Sequence, residues 1–221
     1  MRVLTALLLL AAAMPAAAQP PAATVEALRR DFPGDHAALT AELAGKTPQE
    51  ARRLAYAGIE RFLRARRDRL MAAPGSSLIA IEARQGALLR ALGKEDVQMC
   101  AAVGDSGFFS VAALAGSAPP GLDDYGVALV QAAAAGTPGS VAAPAASRED
   151  YLAWLAVVDK IDPWIPVRAM LADRSLRFKS SPDNLCRGAA AMHEAVASLP
   201  PDQGARVART LLSSVIGTAA Q

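Results

Sequence analysis

Apolar residues recur at intervals of three and four along nearly the whole chain, while strict alternation is almost absent. That spacing places apolar side chains on one face of a helix and leaves little room for a sheet. The clearest stretch is residues 48–73. Thr47-Pro48-Gln49-Glu50 offers a capping hydroxyl, a proline at the first helical position and a glutamate able to reach back to the cap. Leu54, Ala55, Gly58, Ile59, Phe62 and Leu63 then draw a single stripe, which Pro74-Gly75 stops. A second helix is expected over residues 77–92, with Leu78, Ile81, Leu88, Leu89 and Leu92 on one face, Gln85 interrupting it, and Gly93 as its C-cap. A third spans residues 95–103 through Val97, Cys100 and Val103 and ends at Gly104.

The same logic runs to the C-terminus. Asp123 and Asp124 suit the positive N-terminal end of a helix over Leu122–Ala135. Ser147 and Asp150 form a capping-box pair ahead of the stripe Tyr151, Trp154, Leu155 and Val158. Asp162-Pro163-Trp164-Ile165-Pro166 reads as a turn into a short helix over Val167–Ala172. Ser181-Pro182 and Pro200-Pro201 open the last two helices, the final one carrying Val207, Leu211, Leu212 and Val215. Residues 175–179 are the only strand candidate. The expected fold is all-α, an irregular bundle of about eight to nine helices. Gly116-Ser117-Ala118-Pro119-Pro120-Gly121 reads as a loop, and residues 136–147 as a linker that could mark a sub-domain boundary within one helical domain over residues 19–221.

The N-terminus has the three parts of a cleavable export signal. Arg2 supplies positive charge, residues 4–14 an apolar core of eleven residues, and Ala16-Ala17-Ala18 the small residues a signal peptidase needs. A spanning helix requires roughly 20 apolar residues, so the core is too short for an anchor. Cleavage is expected after Ala18, placing residues 19–221 in the periplasm or outside the cell, with no transmembrane segment left. No cysteine follows the apolar core, which excludes a lipid-attached leader, and a lone arginine gives no twin-arginine signal.

Export gives the two cysteines a meaning. Cys100 and Cys186 sit far apart with no Cys-x-x-Cys between them, so a structural disulfide is the expected pairing. In the chain-entropy picture such a loop is worth about 4 kcal/mol. Two free thiols, or a soft-metal site with Met99, Met192 and His193, are the competing arrangements. The formal net charge of +2 creates no field that would steer the protein to nucleic acid.

Candidate chemistry is sparse. Gly104-Asp105-Ser106-Gly107 resembles the residues around the nucleophile of trypsin-like serine proteases, a resemblance of four residues only. That family is built on two β-barrels, whereas these flanks read as helical, so the stretch is expected to end one helix and start the next. His193-Glu194 lacks the second histidine of a zinc protease helix, since Ala197 stands four residues on, and His36 sits at a helix start. No catalytic constellation, metal site or cofactor motif is identified, and no haem-attachment motif is present. The acidic pairs Glu95-Asp96, Asp123-Asp124 and Glu149-Asp150 are each expected in a first helical turn. Trp154 is expected in the core, and Trp164 as a plug between helices.

Arginine density is the most unusual local feature. Arg61, Arg64, Arg66, Arg67 and Arg69 could form a face for an anionic envelope component or an acidic protein partner; alternatively they form a solvated helix face whose stems cover apolar surface. The leading expectation is therefore an exported, non-enzymatic binding or envelope-maintenance protein. A hydrolase of unfamiliar helical type, recruiting Ser106, His193 or an acidic residue in space, and a carrier of a small apolar ligand are the alternatives. A buried cavity with converging polar groups would favour the hydrolase, a dry apolar cavity the carrier.

Overall fold

A computed structural model describes residues 21–115, 118–137 and 144–217. The export signal expected in residues 1–18 and the centre of the 136–147 linker lie outside them. Thirteen helices order the described residues: α1 (Ala22–Asp31), α2 (Pro33–Leu43), α3 (Pro48–Ala65), α4 (Arg67–Met71), α5 (Gly75–Glu95), α6 (Val97–Ser106), α7 (Phe108–Ala115), α8 (Leu122–Ala135), α9 (Arg148–Ile161), α10 (Val167–Ala172), α11 (Arg174–Lys179), α12 (Pro182–Val196) and α13 (Pro201–Gly217). There is no strand among these residues. The class is all-α as expected. The larger number of helices comes from short pieces that periodicity does not resolve.

Helix α5 is central, packed by α6, α8, α12 and α13. It presents Leu78, Ile81, Leu88, Leu89 and Leu92 inward. Against it α12 brings a run of small residues, Gly188-Ala189-Ala190-Ala191, which lets the two backbones approach closely. A methyl group on Gly86 would fall 3.1 Å from the Glu194 amide nitrogen. One apolar cluster then continues from Leu28 of α1 through Ile81 and Leu89 to Trp154 of α9 and Val207 of α13. Helices from both sides of the 136–147 linker share it.

Cys100 and Cys186 join α6 to α12, S–S 2.02 Å. The bridge explains an unexpected glycine. Gly93 does not end its helix, which runs on to Glu95; a Cβ there would lie 2.6 Å from Cys186 Sγ and 3.7 Å from Cys100 Sγ. The residue is small to admit the disulfide. Gly104 likewise does not end α6, which is closed by Gly107 at φ +82°, a conformation that favours glycine.

Other departures are tertiary in origin. The helix expected over residues 48–73 breaks at Arg66 (φ −104°, ψ 16°), although no glycine or proline marks the place. Its side chain pairs with Asp35 at 2.7 Å and lies over the Phe32 ring, while Leu70 and Met71 of α4 turn into the core. The strand candidate at residues 175–179 is helix α11, started by Asp173, whose carboxylate accepts from the Ser175 amide. Glu95 closes α5 rather than opening a helix; Asp96 is the N-cap of α6. Trp164 is no plug: it stands 84% exposed, whereas Trp154 is buried as expected.

Capping follows the sequence closely. Both expected boxes form, Thr47 with Glu50 and Ser147 with Asp150. Asp123 does more than suit its own helix: its carboxylate accepts from the Ala23 and Thr24 amides at 2.8 and 2.7 Å, capping α1 from α8. No helix among the described residues is long and apolar enough to cross a membrane.

Candidate functional site

A pocket opens where α3, α7, α8 and α13 converge over the middle of α5. Its walls are apolar because each helix turns its stripe inward here: Leu63 from α3, Phe108 and Phe109 from α7, Leu129 from α8, Leu212 and Ile216 from α13. The positive-φ turn at Gly107 sets the short helix α7 across the end of α3 and so closes one side. The cavity measures about 50 Å³. A dry cavity of about 150 Å³ admits benzene, so this one accommodates a chain end or a few heavy atoms.

Polar groups stand at its two ends. At the exposed end Glu60 pairs with Arg64 and accepts from the Ser110 hydroxyl at 2.6 Å; Ser106 and Val215 complete the rim. At the buried end lie the Tyr125 hydroxyl and the Gln85 amide. Phe108 and Phe109 hold the Tyr125 ring, with centroids 5.5 and 6.1 Å away. Burial, and then the Glu82 carboxylate nearby, push the Tyr125 phenol far above its ordinary value, so it stays a neutral hydrogen-bond donor.

Behind the pocket a chain of buried polar groups crosses three helices. Tyr125 Oη donates to Gln85 Oε1 at 2.7 Å. Gln85 Nε2 faces His193 Nε2 at 3.1 Å, and His193 Nδ1 faces Glu82 Oε2 at 2.5 Å. An amide nitrogen can only donate, so with Gln85 oriented this way His193 Nε2 is the acceptor and Nδ1 carries the hydrogen given to Glu82. Glu82 Oε1 is buried without a hydrogen bond. Buried polar groups joined in this way fix one register between helices, because any slip leaves donors and acceptors unmatched. The chain ties α8 to α5 and α5 to α12.

His193 is nine-tenths buried and both its ring nitrogens are engaged by Gln85 and Glu82. Ser110 is bonded to Glu60 rather than to an imidazole. His36 lies on α2, where its ring meets Thr40 of the same helix. Cys100 is spent in the disulfide, so the soft-metal arrangement with Met99, Met192 and His193 does not exist. Among the described residues no group of three or more His, Cys, Asp or Glu side chains could hold a metal.

The five arginines are each engaged within the molecule. Arg61 pairs with Glu42, Arg64 with Glu60 and Arg66 with Asp35. Arg67 donates to Ser213 Oγ at 2.5 Å. Arg69 donates to the Ala133 and Ala134 carbonyls at the end of α8 and lies over the Phe32 ring. The contacts of Arg61, Arg66, Arg67 and Arg69 fasten α3 and α4 to α2, α8 and α13.

The sequence passed over Glu82, Gln85 and Tyr125. The signal was present in Gln85, a polar residue at the centre of an otherwise apolar stripe. Glu82, one turn earlier on that stripe, was the second mark. Comparison with protein families, with curated proteins and with solved structures finds no match to this chain.

Proposed function

We propose that this chain is an exported, non-enzymatic helical binding protein whose pocket takes the apolar end of a small amphiphilic molecule. The single observation that carries the reading is the wall of Leu63, Phe108, Phe109, Leu129, Leu212 and Ile216, with polar groups only at its two ends. Sites for small molecules are concave and mostly apolar, with a few polar groups fixing orientation. Tyr125 and Gln85 at the buried end and Glu60, Arg64 and Ser110 at the rim meet that description. The apolar part enters between the phenylalanines; the polar head stays at the rim beside the Glu60–Arg64 pair. The engaged ring of His193 favours binding over hydrolysis, since neither of its nitrogens is free to activate a nucleophile. Placement outside the cytoplasm is supported by the leader-like residues 1–18 and by the Cys100–Cys186 bridge, because such bridges persist in oxidising compartments.

Calorimetric titration with straight-chain alcohols and carboxylates of increasing length tests the reading. Wild-type protein is expected to bind them with a negative heat-capacity change, the mark of apolar burial. Val215→Trp, at the exposed rim, is expected to block entry without touching the core. Equal binding by that variant, or none by the wild type at any chain length, contradicts the proposal.

A further inference from the structure

The segment from Trp164 to Lys179 exposes apolar surface that none of the described residues covers. Four of the six large hydrophobic side chains that stand exposed among the described residues fall within it: Trp164 at 84%, Leu171 at 49%, Leu176 at 38% and Phe178 at 86%. Scattered surface leucines need no explanation, but two aromatics held almost wholly in solvent do.

Their exposure is built in. Asp162 is locked by two hydrogen bonds from Arg187, at 2.9 and 2.8 Å. Ile165, Val167 and Met170 are then buried, so the chain is pinned inward on both sides of Trp164. Pro163 and Pro166 stiffen the turn between them. Trp164 is thus presented by a clamped loop. Helix α11 contributes no residue to the core and packs mainly against α10. Its phenylalanine is left to solvent and its leucine is only partly covered.

Charge identifies what would cover them. Residues 164–179 carry Arg168, Arg174, Arg177 and Lys179 against a single acid, Asp173, whose carboxylate is used to cap α11. The whole chain carries a net charge of only +2, whereas this segment alone carries +3, or +2 once the pairing of Arg168 with Asp159 at 3.0 Å is counted. Aromatic side chains interleaved with arginine and lysine match the headgroup zone of an anionic bilayer: rings settle at the boundary of the acyl chains while the cations meet lipid phosphates. We infer that α10, α11 and the Trp164 turn dock the protein peripherally on an anionic lipid surface. This docking does not depend on the pocket.

The test is flotation of the full chain with vesicles of phosphatidylglycerol mixed with phosphatidylcholine, beside vesicles of phosphatidylcholine alone. Quenching by brominated lipid reports Trp164, with a Trp164→Phe chain supplying the background of buried Trp154. The expected result is binding to anionic vesicles, with Trp164 quenched. Trp164→Ala and Phe178→Ala should each weaken partitioning by at least about tenfold, and Lys179→Glu by about fivefold. Both aromatics are exposed, so far-ultraviolet circular dichroism and the unfolding midpoint should stay those of the wild type. Because every chain carries the same N-terminus, the comparison removes any contribution of residues 1–18. Absence of binding to anionic vesicles overturns the inference, as does binding that survives both aromatic substitutions or is equally strong on phosphatidylcholine. Loss of a sedimenting dimer in these variants, with no vesicle binding by the wild type, also overturns it and assigns the patch to a second copy of the chain.

Discussion

Replacing Gly93 with alanine should destabilise this protein, although the same change in a helix interior ordinarily stabilises by about 1 kcal/mol. The new Cβ would stand 2.6 Å from Cys186 Sγ, whereas ordinary contact begins near 3.4 Å. About 0.8 Å must be found, and repulsion is steep at that range. The sulfur is held in a bridge to Cys100 and both cysteines are buried, so it cannot swing aside. Helix α5 would have to back away from α12, loosening the close approach of Gly86 to Glu194 on the same face. Overpacking of this kind costs about 2–3 kcal/mol; after the helix-propensity gain a net loss of about 1–2 kcal/mol remains. For a chain of this size that lowers the melting temperature by about 3–6 °C. Urea unfolding of the oxidised protein reads it as a shifted midpoint with unchanged slope. In a Cys100→Ala, Cys186→Ala background the obstructing sulfur is gone, and Gly93→Ala should then stabilise by about 0.5–1 kcal/mol. A stabilising effect in the oxidised protein, or the same cost in both backgrounds, refutes the reasoning.

The buried chain of polar groups, the caps and the arginines yield further expectations. His193→Ala leaves both carboxylate oxygens of Glu82 without a partner and should cost about 3–5 kcal/mol; adding Glu82→Met should recover most of it in urea unfolding. Asp150 accepts two bonds from Arg206, at 2.8 and 2.7 Å, and its carboxyl is held well below the usual range by that guanidinium and by the Ser147 amide. A depressed pKa stabilises the fold above the unfolded value near about 3.9 and is lost as pH falls through the folded one. The Asp150→Asn chain should therefore be weaker than wild type at neutral pH, and the two melting curves should begin to converge only below about pH 4, meeting as pH falls through the depressed folded value. Arg69→Ala removes the donor to the last carbonyls of α8 and the contact over Phe32, and should cost about 1–2 kcal/mol by thermal melting. Exposed Arg53→Ala should stay within about 0.5 kcal/mol of wild type.

Helix class, most helix starts and the cysteine pairing were legible because each has a local cause: a cap, a proline, a stripe, a redox partner. The pieces that were not legible have causes distant in sequence. The break at Arg66 answers to Asp35 and Phe32, and the true reason for Gly93 is a sulfur from residue 186. Trp164 sits between two prolines in a way that equally suits a plug or a display; the burial of Ile165 and Val167 decides it. The pocket was legible only as fragments. Leu63, Leu212 and Val215 were placed on two helical stripes, but nothing local says that these stripes meet over Tyr125. Gln85 looked like a weakness in a helix face, because periodicity scores a buried polar residue as an interruption rather than as one member of a hydrogen-bonded chain.

The central claim is that the pocket between α3, α7, α8 and α13 holds the apolar end of a small amphiphile. Intermolecular nuclear Overhauser effects between octanol and the methyl groups of the protein test it most directly. The account predicts cross-peaks from the terminal methyl of octanol to Leu63, Leu129 and Leu212, and their loss in Val215→Trp. Cross-peaks confined to Leu171 and Leu176, or none to any methyl group, would contradict it.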